Sequence, residues 1–195
     1  MGLSNVCNTK NKIISATLNI IASEGVQNVT IRKIATIADV NVAAVNYHFG
    51  SKDVVITEVL KTITFRLIEA FDCLKNHNGD PLSRIELFIN QYSLVVSEHP
   101  DIVNYFIARS LNHEIIPGGY QDYLKEEGIE LIKSTLREIK PDDEINLSLR
   151  ALQILSVLSF PIMLGSHVKE ATGLDFLDPD VRQTYNELLF RHLLK

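Results

Sequence analysis

Residues 29–55 read VTIRKIATIADVNVAAVNYHFGSKDVV, and this stretch decides the predicted fold. Thr30 suits the N-cap of a helix, because its hydroxyl can accept a hydrogen bond from a free backbone amide in the first turn. Asp39 suits a tight turn, since it tolerates a left-handed backbone better than most residues other than glycine. Asn41 suits a second N-cap. The stretch therefore predicts two short helices, over residues 31–38 and 42–49, joined by a tight turn.

The second of these helices has two different faces. Val45 and Phe49, four residues apart, can anchor it to a core. Its other face carries small apolar and hydrogen-bonding side chains, namely Val42, Ala43, Asn46, Tyr47 and His48. Such a face suits the major groove of DNA, where methyl groups meet thymine and polar tips meet base edges or phosphates. A loosely packed surface helix explains the same pattern equally well.

Basic side chains stand at the starts of two helices. Arg32 and Lys33 follow Thr30, and Lys52 follows Ser51. Each is unfavourable there by about 0.3–1 kcal/mol, because a helix N-terminus carries partial positive charge. A bound phosphate would explain both helix starts, since backbone amides and cations would converge on one anion. The alternative is that these residues are solvated surface cations.

Charge is unevenly distributed along the chain, which has a net charge of −5. Residues 1–61 hold six Lys and Arg against four Asp and Glu, whereas residues 62–195 hold thirteen against twenty. A mildly basic N-terminal segment followed by an acidic remainder permits phosphate contact only at the N-terminal end of the chain. The acidic total argues against a non-specific architectural DNA binder.

The remaining sequence is divided by Gly and Pro into helix-length segments, and strand-like alternation is scarce. Further helices are predicted over residues 9–24, 51–76, 82–98, 101–112, 119–139, 143–168 and 180–194. This pattern predicts an all-α fold with a three-helix, helix-turn-helix DNA-binding domain over residues 1–50. A second helical domain is predicted over residues 51–195, joined to the first through a continuous helix.

The N-terminal segment resembles the DNA-binding domain of the TetR family of transcriptional regulators. The matching residues are Ile13, Ala16, Gly25, Thr30, Ile34, Ala35, Ala38, Val40, Val45, Tyr47, Phe49, Lys52 and Asp53. The resemblance covers about residues 9–60, and YHFGSKD is its most specific part. The family usually has Gly where Asp39 stands and often Ser or Thr where Asn41 stands, but both residues suit a turn and an N-cap.

The resemblance implies a ligand-responsive regulator, by family default a repressor, that binds a pseudo-palindromic operator as a homodimer and is released by a small-molecule effector. It implies that residues 51–195 form an effector-binding and dimerisation domain, and that Thr30, Tyr47 and Lys52 contact phosphates of double-stranded DNA. The predicted DNA interface consists of Thr30, Arg32, Lys33, Asn41, Val42, Ala43, Asn46, Tyr47, His48 and Lys52.

Residues 151–165 carry no charge and are apolar around most of a helix circumference, so they must be buried on several sides. The stretch is too short to span a bilayer. Burial in a four-helix bundle with a twofold mate is the simplest solution, and core helices of a monomer are the alternative. The predicted dimer interface consists of Ala151, Ile154, Leu155, Leu158, Ile162, Val181, Tyr185, Leu188 and Leu189.

An effector pocket is expected among the middle helices. Its candidate lining consists of Tyr92, Tyr105, Phe106, Arg109, Tyr123, Phe160, Met163 and His167, although aromatic residues at helical spacing are more often plain core. Arg109 could meet an anionic group, but a salt bridge to Glu86, Glu114 or another carboxylate also suits it. Pro161 is expected to kink its helix and open space for a ligand.

Enzymatic chemistry finds no support in the sequence. The six histidines have no metal-ligand spacing, Cys7 and Cys73 have no partner spacing, and no nucleophile motif or phosphate-binding glycine loop occurs. We therefore expect no metal, no cofactor and no catalytic residue. The N-terminus lacks an apolar signal core, so a cytoplasmic protein without membrane attachment is expected. The alternative function is a helical small-molecule-binding protein or enzyme without sequence-specific DNA binding.

Overall fold

The computed structural model describes the backbone of residues 2–193 and the side chains of residues 9–192, so the side chain of Cys7 lies outside the described part. Within this range the chain is helical and contains no β-strand, which confirms the predicted fold class. The chain forms two compact units, Met1–Thr64 and Phe65–Lys195. The division of function between residues 1–50 and 51–195 stays a prediction.

The α-helices are α1 (Gly2–Glu24), α2 (Ile31–Ala38), α3 (Val42–Phe49), α4 (Lys52–Glu69), α5 (Pro81–Glu98), α6 (Pro100–Leu111), α7 (Tyr120–Tyr123), α8 (Ile129–Ile139), α9 (Glu144–Thr172) and α10 (Pro179–Leu193). The bounds of α2 and α3 are those predicted from the sequence. Helix α1 begins well before the predicted start at residue 9.

The N-terminal unit has its own apolar core. Ile13 and Ile20 lie on the predicted inner face of α1 and are fully buried, and Ile34 of α2 and Val45 of α3 are buried with them. Burying each such side chain contributes about 1.5–3 kcal/mol, so a small three-helix unit can hold its shape. This core fixes which face of α3 remains outside.

The C-terminal unit is built around α5. Ile85, Phe88 and Ile89 on this helix are fully buried, and α8, α9 and α10 all pack against it. The rings of Phe71 and Phe88 lie with their centroids 4.7 Å apart. Aromatic pairs at this separation stabilise a core beyond their buried area.

Two predicted helices are interrupted in the structure. Helix α4 ends at Glu69, and a separate 3₁₀ turn, Asp72–Lys75, follows where one continuous helix was predicted. The predicted helix over residues 119–139 contains a π turn at Leu124–Gly128, which joins α7 to α8. Both interruptions bring aromatic side chains into the core, since Phe71 precedes the 3₁₀ turn and contacts Tyr123.

The predicted kink at Pro161 is wrong. Helix α9 keeps helical backbone angles at Pro161 and breaks at Gly165, where φ is 30° and ψ is −99°. Pro161 has no N–H, so the carbonyl of Val157 lacks its usual helical donor. The Tyr185 hydroxyl of α10 donates to that carbonyl oxygen at 3.1 Å. A neighbouring helix therefore supplies the hydrogen bond that proline removes.

Helix α9 is also longer than the apolar stretch within it. By length and composition alone it could cross a membrane, since its most apolar window of 18 residues has a mean hydropathy of 1.7. A third of that window is buried inside the structure. The helix packs against α5, α6 and α8, which accounts for one of its faces.

Candidate functional site

The turn between α2 and α3 has the geometry that its sequence predicts. The Thr30 hydroxyl accepts a hydrogen bond from the Lys33 amide at 3.2 Å, and the Asn41 side chain accepts one from the Ala44 amide at 2.6 Å. Asp39 lies in the left-handed region, with φ of 53° and ψ of 52°. The Thr30 and Asn41 caps begin α2 and α3, and Asp39 ends α2. Three residues therefore separate the two helices.

Helix α3 is anchored on one side and open on the other. Val45 and Phe49 are buried, as expected for anchors. Val42 is 41% exposed and Tyr47 83% exposed, and Ala43 and Asn46 are exposed beside them. A helix face that leaves apolar and aromatic side chains in solvent is typical of a contact surface. The face has the mixture of methyl groups, an amide and a phenol that the sequence predicts.

His48 differs from the other members of this face. It is half-buried, and its ring meets the Tyr47 ring edge-on with centroids 5.3 Å apart. Part of the imidazole is exposed to solvent, but contacts within α3 fix the position of the ring. We place it at the edge of the surface.

The three predicted phosphate-facing cations have different surroundings. Lys33 forms an ion pair with Glu24 at the end of α1. This pair explains its unfavourable place in the first turn of α2 without any phosphate. Arg32 and Lys52 are exposed, and neither has an ion-pair partner among the side chains that the structure describes. At these two residues, no ion pair offsets the unfavourable position of a positive side chain at a helix N-terminus.

A cavity of about 140 Å³ lies within the C-terminal unit, between α5, α6 and the start of α7. Tyr92 and Phe106, both predicted pocket residues, are on its wall. The other lining residues are Leu67, Val96, Val103, Ile107, Ser110, Ile116, Tyr120, Gln121, Leu124 and Ser159. None of these was predicted, because no periodic pattern distinguishes the wall of a cavity from ordinary core.

Two tyrosine hydroxyls meet in this cavity. The hydroxyl oxygens of Tyr92 and Tyr120 are 2.7 Å apart and share a hydrogen bond. Burial raises the pKa of both phenols above the ordinary value, so both stay neutral at physiological pH. Ser159, on the wall contributed by α9, forms a further hydrogen bond with Tyr92. The cavity thus has a mainly apolar wall with uncharged polar groups, which include this cluster of hydroxyls and the side chains of Ser110 and Gln121.

Arg109 lies outside this cavity and is bound by its own helix and the following loop. Its guanidinium donates to the Tyr105 hydroxyl at 2.8 Å and to the Ile115 carbonyl at 3.2 Å, and it forms an ion pair with Glu114 at 3.2 Å. The expected salt bridge to Glu114 is confirmed. These contacts leave Arg109 and Tyr105 off the cavity wall.

The other predicted pocket residues are also elsewhere. Phe160 is 57% exposed, and His167 is exposed farther along α9. Met163 is half-buried and does not line the cavity. Tyr123 packs its ring edge-on against Phe71, and burial raises the pKa of its phenol to about 12. The structure thus separates six of the eight predicted pocket residues from the cavity.

The sequence of residues 13–59 matches the family model described as "Bacterial regulatory proteins, tetR family". The matched residues contain both short helices, the turn between them and the exposed face of α3. These residues form a DNA-binding domain of the TetR type. Domains of this type are found in bacterial transcriptional regulators. No curated protein matches the chain in sequence.

Solved structures of TetR-family regulators share the fold of the whole chain. A TetR transcriptional regulator from Legionella pneumophila has a TM-score of 0.67 at 20% identity, with 98% of this chain and 99% of that chain covered. The ketosteroid transcriptional regulator KstR2 of Mycobacterium tuberculosis has a TM-score of 0.69 at 16% identity, covering 94% and 93%. The regulator PfmR from Thermus thermophilus has a TM-score of 0.66 at 18% identity, covering 92% and 97%. At these identities the likeness shows the fold.

The TetR-type turn of this chain uses an unusual residue. Family members usually have glycine where Asp39 stands, and the left-handed backbone at this position explains that preference. Aspartate is among the few other residues that adopt this conformation at modest cost. The departure therefore preserves the geometry of the turn.

The predicted dimer surface of this chain needs correction on α9. Ala151, Ile154, Leu158 and Ile162 are buried in the core of their own C-terminal unit, so they have no surface left to offer a partner. The opposite face of the helix is exposed and apolar at helical spacing, with Ile145, Leu149, Leu152, Phe160 and Leu164 in solvent. An apolar stretch marks a buried helix but not which face meets which neighbour.

The remaining predicted dimer residues also differ in their exposure to solvent. Leu188 is exposed, whereas Leu155 of α9 and Val181 and Leu189 of α10 are half-buried. Tyr185 is bound within the chain, by its hydrogen bond to Val157 and by an edge-on contact with the Phe176 ring. Of the predicted α10 residues, Leu188 retains the most surface.

Proposed function

We propose that this chain is a homodimeric transcriptional repressor of the cytoplasm, which binds a pseudo-palindromic operator through α3 and is released by a small-molecule effector. The observation that carries the proposal is the exposed face of α3. Its anchors are buried, while Val42, Ala43, Asn46 and Tyr47 remain in solvent. A monomeric domain has no structural need for this face, but a helix that enters the major groove does.

We assign two kinds of contact to this surface. Thr30, Tyr47 and Lys52 bind phosphates, which fixes the position of α3 on the duplex. Asn46 and the small groups of Val42 and Ala43 meet base edges, with His48 and Asn41 at the margin. Phosphate contacts position a protein on DNA and base contacts specify the sequence, so the two sets predict different defects. Arg32 joins the phosphate set, and Lys33 takes a lesser part because Glu24 holds it.

The proposal is tested by gel shift with the promoter duplex beside the chain's own gene, in the presence of competitor duplex. Lys52→Ala should weaken binding to every duplex and flatten the dependence of log K on log salt by about one unit per lost phosphate contact. Lys61→Ala is the matched control, because Lys61 is on the same helix and paired with Glu58. Asn46→Ala should instead alter the preference among sites.

Three outcomes separate the candidate functions. Sequence-selective binding supports the regulator. Affinity without selectivity supports an architectural DNA binder, and no affinity at low salt supports the alternative of a helical small-molecule-binding protein or enzyme. An unchanged affinity and salt slope in Lys52→Ala would remove that residue from the phosphate contacts.

We propose further that the dimer forms through the exposed faces of α9 and α10. Leu149, Leu152 and Phe160 are 51%, 58% and 57% exposed and lie along one face of α9. A soluble monomer rarely leaves so long an apolar stripe in water, and a twofold mate would cover it as half of a four-helix bundle. In the dimer, the two copies of α3 would enter successive major grooves, which are about 34–36 Å apart.

The dimer is tested by sedimentation velocity on the purified full-length chain. Leu152→Glu should give monomers, because a charge would have to be buried without a partner. Leu111→Glu is the control, since Leu111 is equally apolar and exposed but is on α6. A dimer that survives Leu152→Glu, or a wild-type chain that sediments as a monomer, would contradict this interface.

Release by an effector requires only modest coupling. A ligand that shifts DNA affinity by the typical coupling of about 1–3 kcal/mol changes binding roughly 5- to 150-fold. The cavity in the C-terminal unit is the site we propose for that ligand. Its walls include Leu67 near the end of α4, the helix that begins directly after α3.

A further inference from the structure

The size of the cavity limits the ligand that it can hold. Its volume is about 140 Å³, whereas an apolar cavity of about 150 Å³ in another protein holds a single benzene molecule. A ligand of one six-membered ring therefore fills it. The cavity is partly open to solvent, so a long acyl chain or a fused polycyclic ligand would extend out of it.

The charge of the cavity limits the ligand in a second way. No Asp, Glu, Lys, Arg or His is among the residues that line it. Arg109, the nearest candidate for an anionic ligand on α6, is bound by Glu114 and by the Tyr105 hydroxyl instead. A charged ligand would lose its hydration without gaining a counter-charge, and that loss is large.

The polar groups that line the cavity are uncharged, namely the hydroxyls of Tyr92, Tyr120, Ser110 and Ser159 and the amide of Gln121. Tyr92 and Tyr120 are buried and line the cavity, and their hydroxyl oxygens are 2.7 Å apart. A phenol O–H can donate one hydrogen bond and accept others, so the pair has capacity left for a ligand group beside Ser159. A ligand hydroxyl or carbonyl is the group that this pair can bind without charge.

We propose that the effector is an uncharged molecule of about one ring, with a hydroxyl or carbonyl group that hydrogen-bonds to Tyr92 and Tyr120. This inference rests on the proposed function, because it names the chemical class of the effector assigned there. It requires only that the tyrosine pair, which Ser159 already contacts through Tyr92, binds one further group.

The test is isothermal titration calorimetry of the full-length protein with four probes: phenol, toluene, benzoate and dodecanoate. Phenol and toluene should bind, and benzoate and dodecanoate should not. Tyr92→Phe and Tyr120→Phe should each weaken phenol binding about 2- to 10-fold, because each removes one hydrogen-bonding group, and leave toluene binding within about twofold. The control Tyr105→Phe removes a hydroxyl that binds Arg109 outside the cavity, and it should change neither.

The proposal is overturned if phenol does not bind, or if benzoate or dodecanoate binds as tightly as phenol. It is also overturned if Tyr92→Phe and Tyr120→Phe both leave phenol binding unchanged, or if Tyr105→Phe weakens it as much. The calorimetry contains no DNA, so these failures are distinct from a failure of operator binding in the gel shift. A chain that binds its operator but no neutral probe would keep the proposed DNA-binding role and lose this effector class.

Discussion

The hydrogen bond between Tyr185 and the carbonyl of Val157 gives a prediction that can be measured on its own. Tyr185→Phe keeps the ring and its edge-on contact with Phe176, at a centroid distance of 4.9 Å, and removes only the hydroxyl. The Val157 carbonyl then has no donor, since Pro161 provides none. Leaving a buried polar group unsatisfied costs about 1–3 kcal/mol, and this site is only partly buried, so we expect the free energy of unfolding to fall by about 1 kcal/mol.

A second substitution tests the reason as well as the size of the effect. Pro161→Ala restores an N–H that can donate to the Val157 carbonyl within α9. In this background Tyr185→Phe should cost at most about 0.3 kcal/mol, so the double-mutant cycle should give a coupling energy of about 0.7 kcal/mol or more. The pair would be uncoupled if Tyr185→Phe cost the same in both backgrounds, and proline would then not be the cause of the contact.

The assay is urea unfolding followed by circular dichroism, on four proteins at one fixed concentration. Fixed concentration matters because association shifts the apparent free energy of unfolding of a dimer. Equal m-values across the four proteins would show that the substitutions changed stability rather than the surface exposed on unfolding.

Two further predictions concern the turn and a half-buried histidine. Asp39→Val should lower the free energy of unfolding by about 1–2 kcal/mol and Asp39→Gly should not, because only the former forces a branched side chain into the left-handed region; equal losses in urea unfolding would contradict this. Burial, together with the neighbouring Arg66 guanidinium, lowers the pKa of His99 below its ordinary 6.5. The unfolded chain then binds the proton more readily, so stability is full above pH 6.5 and is lost as pH falls through that value. His99→Gln should flatten this dependence below pH 6.5, and an unchanged dependence in this variant would contradict the assignment.

The helix-turn-helix could be predicted from the sequence because the interactions that define it are local. Thr30 and Asn41 each bind an amide three residues along the chain, and Val45 and Phe49 share a face because they are four residues apart. Periodicity and capping therefore determine where α2 and α3 begin, where they end and which face α3 leaves exposed.

The neighbours of each side chain across the fold could not be predicted in this way. Lys33 pairs with Glu24 on a different helix, and that partner changes its expected role. Arg109 is bound by Glu114, and Tyr92 meets Tyr120 through a contact 28 residues apart in sequence. A cavity exists only where several helices leave unfilled space between them, so it cannot be predicted from any single segment of sequence.

The sequence by itself determined the all-helical fold, the limits of the short helices α2 and α3 and the face that α3 leaves exposed, because each depends on residues within one or two helical turns. Only the tertiary structure decided which side of the apolar helix α9 meets its own core and which stays exposed. It also decided that Gly165 rather than Pro161 interrupts that helix, and that Tyr92 faces a cavity. An all-apolar helix satisfies the hydrophobic effect equally well on any side, so its partners, and not its pattern, select the face that is buried.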